Sequence, residues 1–160
     1  MRILIAIDGS DDSRHAVEET ARRPCGGNSE ILIIHAVQSP IPVLPDTMGV
    51  GAEFARAVFD EAAAHGTEII KAAADKIRQG GADKSSIATS IVAMPYDQSV
   101  AQTIVDEAER FDADLIVMGS RGRSAWKRLL MGSVSMAVAQ HAHCSVEIAR
   151  SRPGRTDDEK

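Results

Sequence analysis

The run Ile3-Leu4-Ile5-Ala6-Ile7 is apolar at every position and stops at Asp8-Gly9-Ser10. A strand with no polar alternation has to be covered on both faces, which is how strands of parallel sheets read. Further strand-like runs follow at Ile31 to Val37, Ile87 to Ala93, Leu115 to Met118 and Val146 to Ala149. Between them lie segments with helical signals. Ser10, Asp11 and Asp12 supply a cap and an acidic first turn, Arg22 and Arg23 a basic last turn, and Pro24 and Gly26-Gly27 a stop. From Glu53 to about Gln79 an apolar stripe through Phe54, Val58, Ala62, Ile69, Ala73 and Ile77 predicts a long amphipathic helix ended by Gly80-Gly81. Asp97 is the expected cap of a helix carrying Val100, Ile104, Val105 and Ala108, and Ser133 to about His141 reads as a short helix. Gln38 to Ala52, with three prolines and two glycines, reads as a loop long enough to suspect function.

Strands alternating with helices imply right-handed crossovers and a parallel sheet. With 160 residues, 44% of them apolar, one core is the natural outcome. The expected fold is α/β: a single-domain, open, parallel five-stranded sheet with helices on both faces, doubly wound and Rossmann-like. It should span residues 1–150, with 151–160 a disordered polar tail. In such sheets ligands bind beyond the carboxyl ends of the strands, where the winding reverses.

A formal net charge of −5 argues against a broad electrostatic hold on nucleic acid or an anionic membrane. Cys25 and Cys144 lack metal or disulfide spacing and read as free thiols of a cytoplasmic protein, and no run approaches membrane length. His141 and His143 point to different faces of a helix end, with no third ligand nearby, so no metal site is expected. His35 reads as a packed core histidine in preference to a general base.

The chemistry concentrates after the fourth strand, in Gly119-Ser120-Arg121-Gly122-Arg123-Ser124-Ala125-Trp126-Lys127-Arg128-Leu129-Leu130-Met131-Gly132-Ser133. Gly119 and Gly122 lack a Cβ, so the backbone can approach a polyphosphate closely and can adopt positive φ. Gly132 and Ser133 open a helix whose free amides favour an anion. Arg121, Arg123, Lys127 and Arg128 make this a cationic window in an acidic chain, suited to a nucleotide. The plainer alternative is a solvated loop with glycines as turn punctuation. Trp126 could cover that loop or pack at a subunit contact.

Gly-x2-Gly-x9-Gly-Ser after a strand resembles the nucleotide-binding signature of the universal stress protein family. The opening Ile-Leu-Ile-Ala-Ile-Asp-Gly-Ser, the Leu-Ile-Ile-His-Ala-Val strand, Ala-Asp-Leu-Ile-Val-Met-Gly-Ser and Leu-Leu-Met-Gly-Ser-Val-Ser also look like that family. The resemblance implies an ATP-binding regulatory or stress-response module with AMP or ADP as related ligands, Mg2+ as an accompanying ion, and a protein partner. It places Asp8 at the adenosine end, the main chain of Ala36 on the adenine edge, and Ala6 and Met118 beside the base. The phosphates fall to Gly119, Arg121, Gly122, Arg123, Gly132, Ser133 and Val134. Asp8 without a ligand would be a helix-entry cap.

Two departures stand out: Ala93 where the family more often has glycine, and Glu147 in the last strand, through which family members commonly form homodimers. Two copies meeting there would oppose like charges unless each Glu147 found a base such as Arg150. A second function class is a structural dimer that binds no nucleotide. A third is an adenylating enzyme, since Asp8-Gly9-Ser10-Asp11-Asp12-Ser13 loosely resembles a Ser-Gly-Gly-x-Asp-Ser pyrophosphate loop but lacks its second glycine. No Gly-x4-Gly-Lys-Ser/Thr segment or nucleophile with a spaced base marks a dedicated hydrolase.

Overall fold

The computed structural model describes residues 1–23, 29–39, 50–80, 86–122 and 131–151. The elements are β1 (Arg2–Ala6), α1 (Asp11–Arg22), β2 (Glu30–Gln38), α2 (Val50–Gln79), β3 (Ser86–Met94), α3 (Val100–Phe111), β4 (Leu115–Gly119), α4 (Ser133–His141) and β5 (Ser145–Ala149). The five strands form one sheet in the order β3-β2-β1-β4-β5, and every neighbouring pair is parallel. This is the fold expected from the sequence.

Unbroken apolar strands are explained by what lies on either side. Ile3, Ile5, Ile31, Ile33, Leu115 and Val117 face Ala16, Val17 and Ala21 of α1 and Ile70, Ala73 and Ile77 of α2. Leu4, Ala6, Ile34, Ile116 and Met118 face Ala101, Ile104 and Ala108 of α3 and Val138 of α4. Each fully buried isoleucine contributes roughly 1.5–3 kcal/mol, so the sheet centre holds both layers together.

Two helix starts differ from the sequence reading. Ser99, not Asp97, caps α3: its hydroxyl accepts from the Gln102 amide at 3.1 Å and its carbonyl from the Thr103 amide at 3.0 Å. The residue directly before the first helical position has the right geometry, and Asp97 lies in the turn closed by Gln98 N–H donating to Pro95 O. α2 begins at Val50, inside the stretch read as loop, because Gly51 is accommodated within the helix. At 30 residues α2 is about 45 Å long, against about 30 Å for the nine-residue β2.

The strand order places β2 on one side of β1 and β4 on the other, so the winding reverses between β1 and β4. In sheets of this kind ligands bind at that reversal, beyond the carboxyl ends, and here the residues that follow the two strands are Asp8-Gly9-Ser10 and Ser120.

Candidate binding site at the switch point

Gly9 has φ +81°, and the turn it allows folds Ser10 back onto Asp8. The Ser10 amide and hydroxyl both donate to Asp8 Oδ1, at 3.0 and 2.6 Å. Ser10 also caps α1, its Oγ accepting from the Ser13 amide. Asp8 is therefore a carboxylate oriented by the helix entry, just past the end of β1 and not in the helix cap itself. Across from it, a Cβ on Gly122 would stand 2.9 Å from Asp8 Oδ2. Ala6 and Met118 are register partners in the paired β1 and β4 and are both buried; Ala36 is half-buried on β2. The structure thus gathers Asp8, Ala6, Met118, Gly119 and Gly122 at one sheet edge.

Ser120 ties the far side together. Its amide donates to Ala149 O at 2.7 Å, and its carbonyl accepts from the Gly132 amide at 2.8 Å and the Ser135 hydroxyl at 2.9 Å. The two ends of the glycine loop, distant by twelve positions, meet at this one residue. Among the described glycines only Gly9 has positive φ, so Gly119, Gly122 and Gly132 are chosen for room and not for backbone freedom. At Gly119 a Cβ would lie 2.6 Å from the Ser13 nitrogen and 2.7 Å from the Asp12 carbonyl carbon, where α1 crosses β4. α4 starts with Gly132 as its cap, has no side-chain cap bond and carries no acid in its first turn. The leading amides, those of Ser133 and Val134 among them, lack intrahelical acceptors by geometry and face outward with the positive end of the helix dipole.

Arg121 corrects the picture of an open cationic window. Its Nε and Nη2 donate to Asp12 at 2.9 and 3.3 Å, and the ion pair is largely buried. Asp12, only 3% exposed, also accepts from the Ser120 hydroxyl at 2.6 Å and from the amide and hydroxyl of Ser151. Burial pushes this carboxyl up, but the bonds from Arg121, Ser120 and Ser151 outweigh it and hold it well below the usual carboxylate range; Asp12 in turn raises Arg121. Sequence reasoning saw Asp12 as first-turn charge, and nothing local marks its partners 108 to 139 residues away. Ser151, the first residue of the tail that the sequence predicts to be disordered, is anchored by Asp12. Arg123, Trp126, Lys127 and Arg128 lie outside the described residues, as do 152–160 and Cys25.

His35 is the core histidine expected: its Nδ1 stands 2.7 Å from Ile7 O, a bond in which the ring N–H donates, and Gly66 of α2 leaves the space its ring fills. His141 Nδ1 bonds Ala137 O on its own helix, and no group of three His, Cys, Asp or Glu gathers among the described residues. Burial raises the Cys144 thiol above its ordinary value. Glu147, register partner of Val117, faces the α1 side and pairs with Arg23, not with Arg150. The feared clash of like charges at the last strand is answered within the chain. Ala93 is exposed on β3, beside Val37 in the ladder.

Residues 1–150 match the profile of the Universal stress protein family. This chain belongs to that family. It is 29% identical over 152 residues to universal stress protein YxiE of Bacillus subtilis (strain 168), covering 93% of this chain and 98% of that protein. It is 31% identical over 150 residues to universal stress protein MJ0531 of Methanocaldococcus jannaschii, with coverage of 93% and 81%. The fold matches universal stress protein UspA from Lactobacillus plantarum with a TM-score of 0.69 at 24% identity, over 94% and 97% of the two chains. Two nucleotide complexes share it: an Archaeoglobus fulgidus universal stress protein with dAMP (TM-score 0.59, 22% identity, coverage 93% and 97%) and an Arabidopsis thaliana family member with AMP (0.59, 18%, 99% and 97%). At these identities the structural likenesses establish the fold of this universal stress protein. Among its described residues no helix is long and apolar enough to cross a membrane.

Proposed function

We propose that this universal stress protein binds ATP at the β1/β4 switch point, with AMP and ADP as competing ligands, and works as a nucleotide-dependent regulatory module. The observation that supports this reading is the clasp at Ser120, whose carbonyl holds the Gly132 amide close to Gly122, itself against Asp8. A polyphosphate placed there meets main-chain donors of Gly122 and of Ser133 and Val134 at the α4 entry, while the Gly132 amide is spent on Ser120 O and Gly119 serves packing against α1. A carboxylate would repel phosphate and accepts well from ribose hydroxyls, which puts the sugar at Asp8. Ala6 and Met118 then flank the base and the Ala36 main chain meets its edge. The relatives with AMP and dAMP support the ligand class. Mg2+ would travel on the phosphates with few protein ligands, as that ion commonly does. Arg123 belongs to the phosphate group of this reading through the sequence signature; the Arg121 guanidinium does not, since Asp12 holds it.

The remaining parts of the proposal are a homodimer through the β5 edge, a cytoplasmic setting and a protein partner that senses loop order. Glu147, neutralised by Arg23, removes one objection to pairing at β5.

Gly122→Val tests the site. Gly122 is exposed and its new side chain meets only the tip of Asp8, so the variant should lower the melting midpoint of the ligand-free protein at most slightly while losing the upward shift that ATP induces. A full ATP shift in Gly122→Val, or none in the parent protein, sinks the reading and leaves a structural dimer as the alternative. Micromolar affinity needs only about 8 kcal/mol, within reach of base burial plus a phosphate cradle.

A further inference from the structure

We infer that Asp12 is a positioning residue that lowers the preference of the site for phosphate-rich nucleotides, by withholding the Arg121 guanidinium from the phosphate chain. The inference rests on the proposed nucleotide site and concerns how that site ranks its ligands.

Arg121 sits between Gly119 and Gly122, in the part of the loop assigned to phosphate, and is the one loop cation within the described residues. Left free, an arginine at this position would bind phosphate in bidentate fashion. Here its Nε and Nη2 are committed to Asp12 at 2.9 and 3.3 Å, pointing back toward α1. Asp12 has no cheaper state to retreat to. It is nearly inaccessible, both of its oxygens are occupied, and loss of Arg121 would leave a buried carboxylate with only neutral donors from Ser120 and Ser151. The competition between Asp12 and a phosphate for Arg121 therefore favours Asp12. The nucleotide is left with main-chain donors and without a guanidinium charge on its phosphates. The same bonds fix the Ser120 main chain, so Asp12 shapes the loop entry while cancelling its charge.

Asp12→Asn separates these two roles. With its oxygen at the Oδ1 position the amide still accepts from the Ser151 amide and hydroxyl, and its NH2 at the Oδ2 position donates to the Ser120 hydroxyl, but the charge that detains Arg121 is gone. Binding of adenosine, AMP and ATP is measured by calorimetry at low and high salt, for the parent and the variant. The ratio of ATP to adenosine affinity should rise about tenfold in Asp12→Asn, the worth of one charge-assisted hydrogen bond, with AMP intermediate and the gain shrinking as salt is added. Adding Arg121→Gln to the variant should erase the gain.

An unchanged or lowered ratio, whether affinities fall together or not at all, overturns the inference, since a merely structural carboxylate would act on all three ligands alike. Should Asp12→Asn fail to fold, Arg121→Gln in the parent decides. A ratio within about twofold of the parent supports the inference, and a tenfold drop overturns it by showing that Arg121 serves the phosphates despite Asp12. Failure of the parent to bind any of the three ligands is the separate result that defeats the nucleotide site itself and this inference with it.

Discussion

Two helices begin beside the β1/β4 switch point, and they begin in opposite ways. α1 is saturated by its own sequence: the Ser10 hydroxyl caps it, Asp11 and Asp12 lie in its first turn, and Asp12 draws in Arg121, Ser120 and Ser151. α4 is left bare, with Gly132 as its cap, no side-chain bond to its leading amides and no acid in its first turn. The positive end of α1 thus meets internal carboxylates, and that of α4 meets solvent or whatever anion arrives. A sheet edge with two helix entries does not make two anion sites; the side chains at each entry decide which one is open.

The comparison is most severely broken where the two regions touch. Gly119→Ala would drive a methyl into the backbone of Asp12 and Ser13 and should cost about 3 kcal/mol, read as a lowered urea midpoint with the slope kept. Making the second entry resemble the first is the next largest change. Ser133→Asp puts an acid in the first turn of α4 at an exposed position, so ATP affinity should fall more than tenfold while the ligand-free protein gains about 0.3–1 kcal/mol. Calorimetry and thermal melts on one preparation check both signs, and a variant that binds ATP as well as the parent removes α4 from the site.

Acid titration sharpens the α1 side. Because the folded protein holds the Asp12 carboxyl below its ordinary 3.8, this group stabilises the fold fully at neutral pH. Its contribution erodes as pH falls below about 4, where the unfolded chain takes up the proton first. The melting temperature of the parent should thus drop more steeply on acidification than that of Asp12→Asn; parallel curves would contradict the assignment. The smallest effect belongs to Ser10→Ala, a lost cap worth about 1 kcal/mol by chemical denaturation.

Much of this architecture can be read from residues alone, because its causes are local. Unbroken apolar runs demand cover on two faces, and Ser10 and Gly132 declare helix entries by their position. The glycine signature marks a place of close backbone approach for a similar reason, since small residues recur where backbones come close. What escapes is whatever depends on the order of strands. Asp12 and Arg121 are 109 positions apart and Arg23 and Glu147 are 124 apart, and only the β1-β4-β5 adjacency makes them neighbours. The same adjacency turns Gly119 from a phosphate glycine into a packing glycine. Gly51 misleads in another manner: a glycine after a proline-rich stretch suggests a loop, but a 30-residue helix tolerates the roughly 1 kcal/mol it costs.

The knot at Ser120 has a mechanical consequence. The Ser120 carbonyl and the Gly132 amide tie the end of β4 and the start of α4 to one anchor. Drawing ends twelve residues apart together costs roughly 2 kcal/mol of chain entropy, and here that penalty is met during folding. An arriving guest does not have to supply it again.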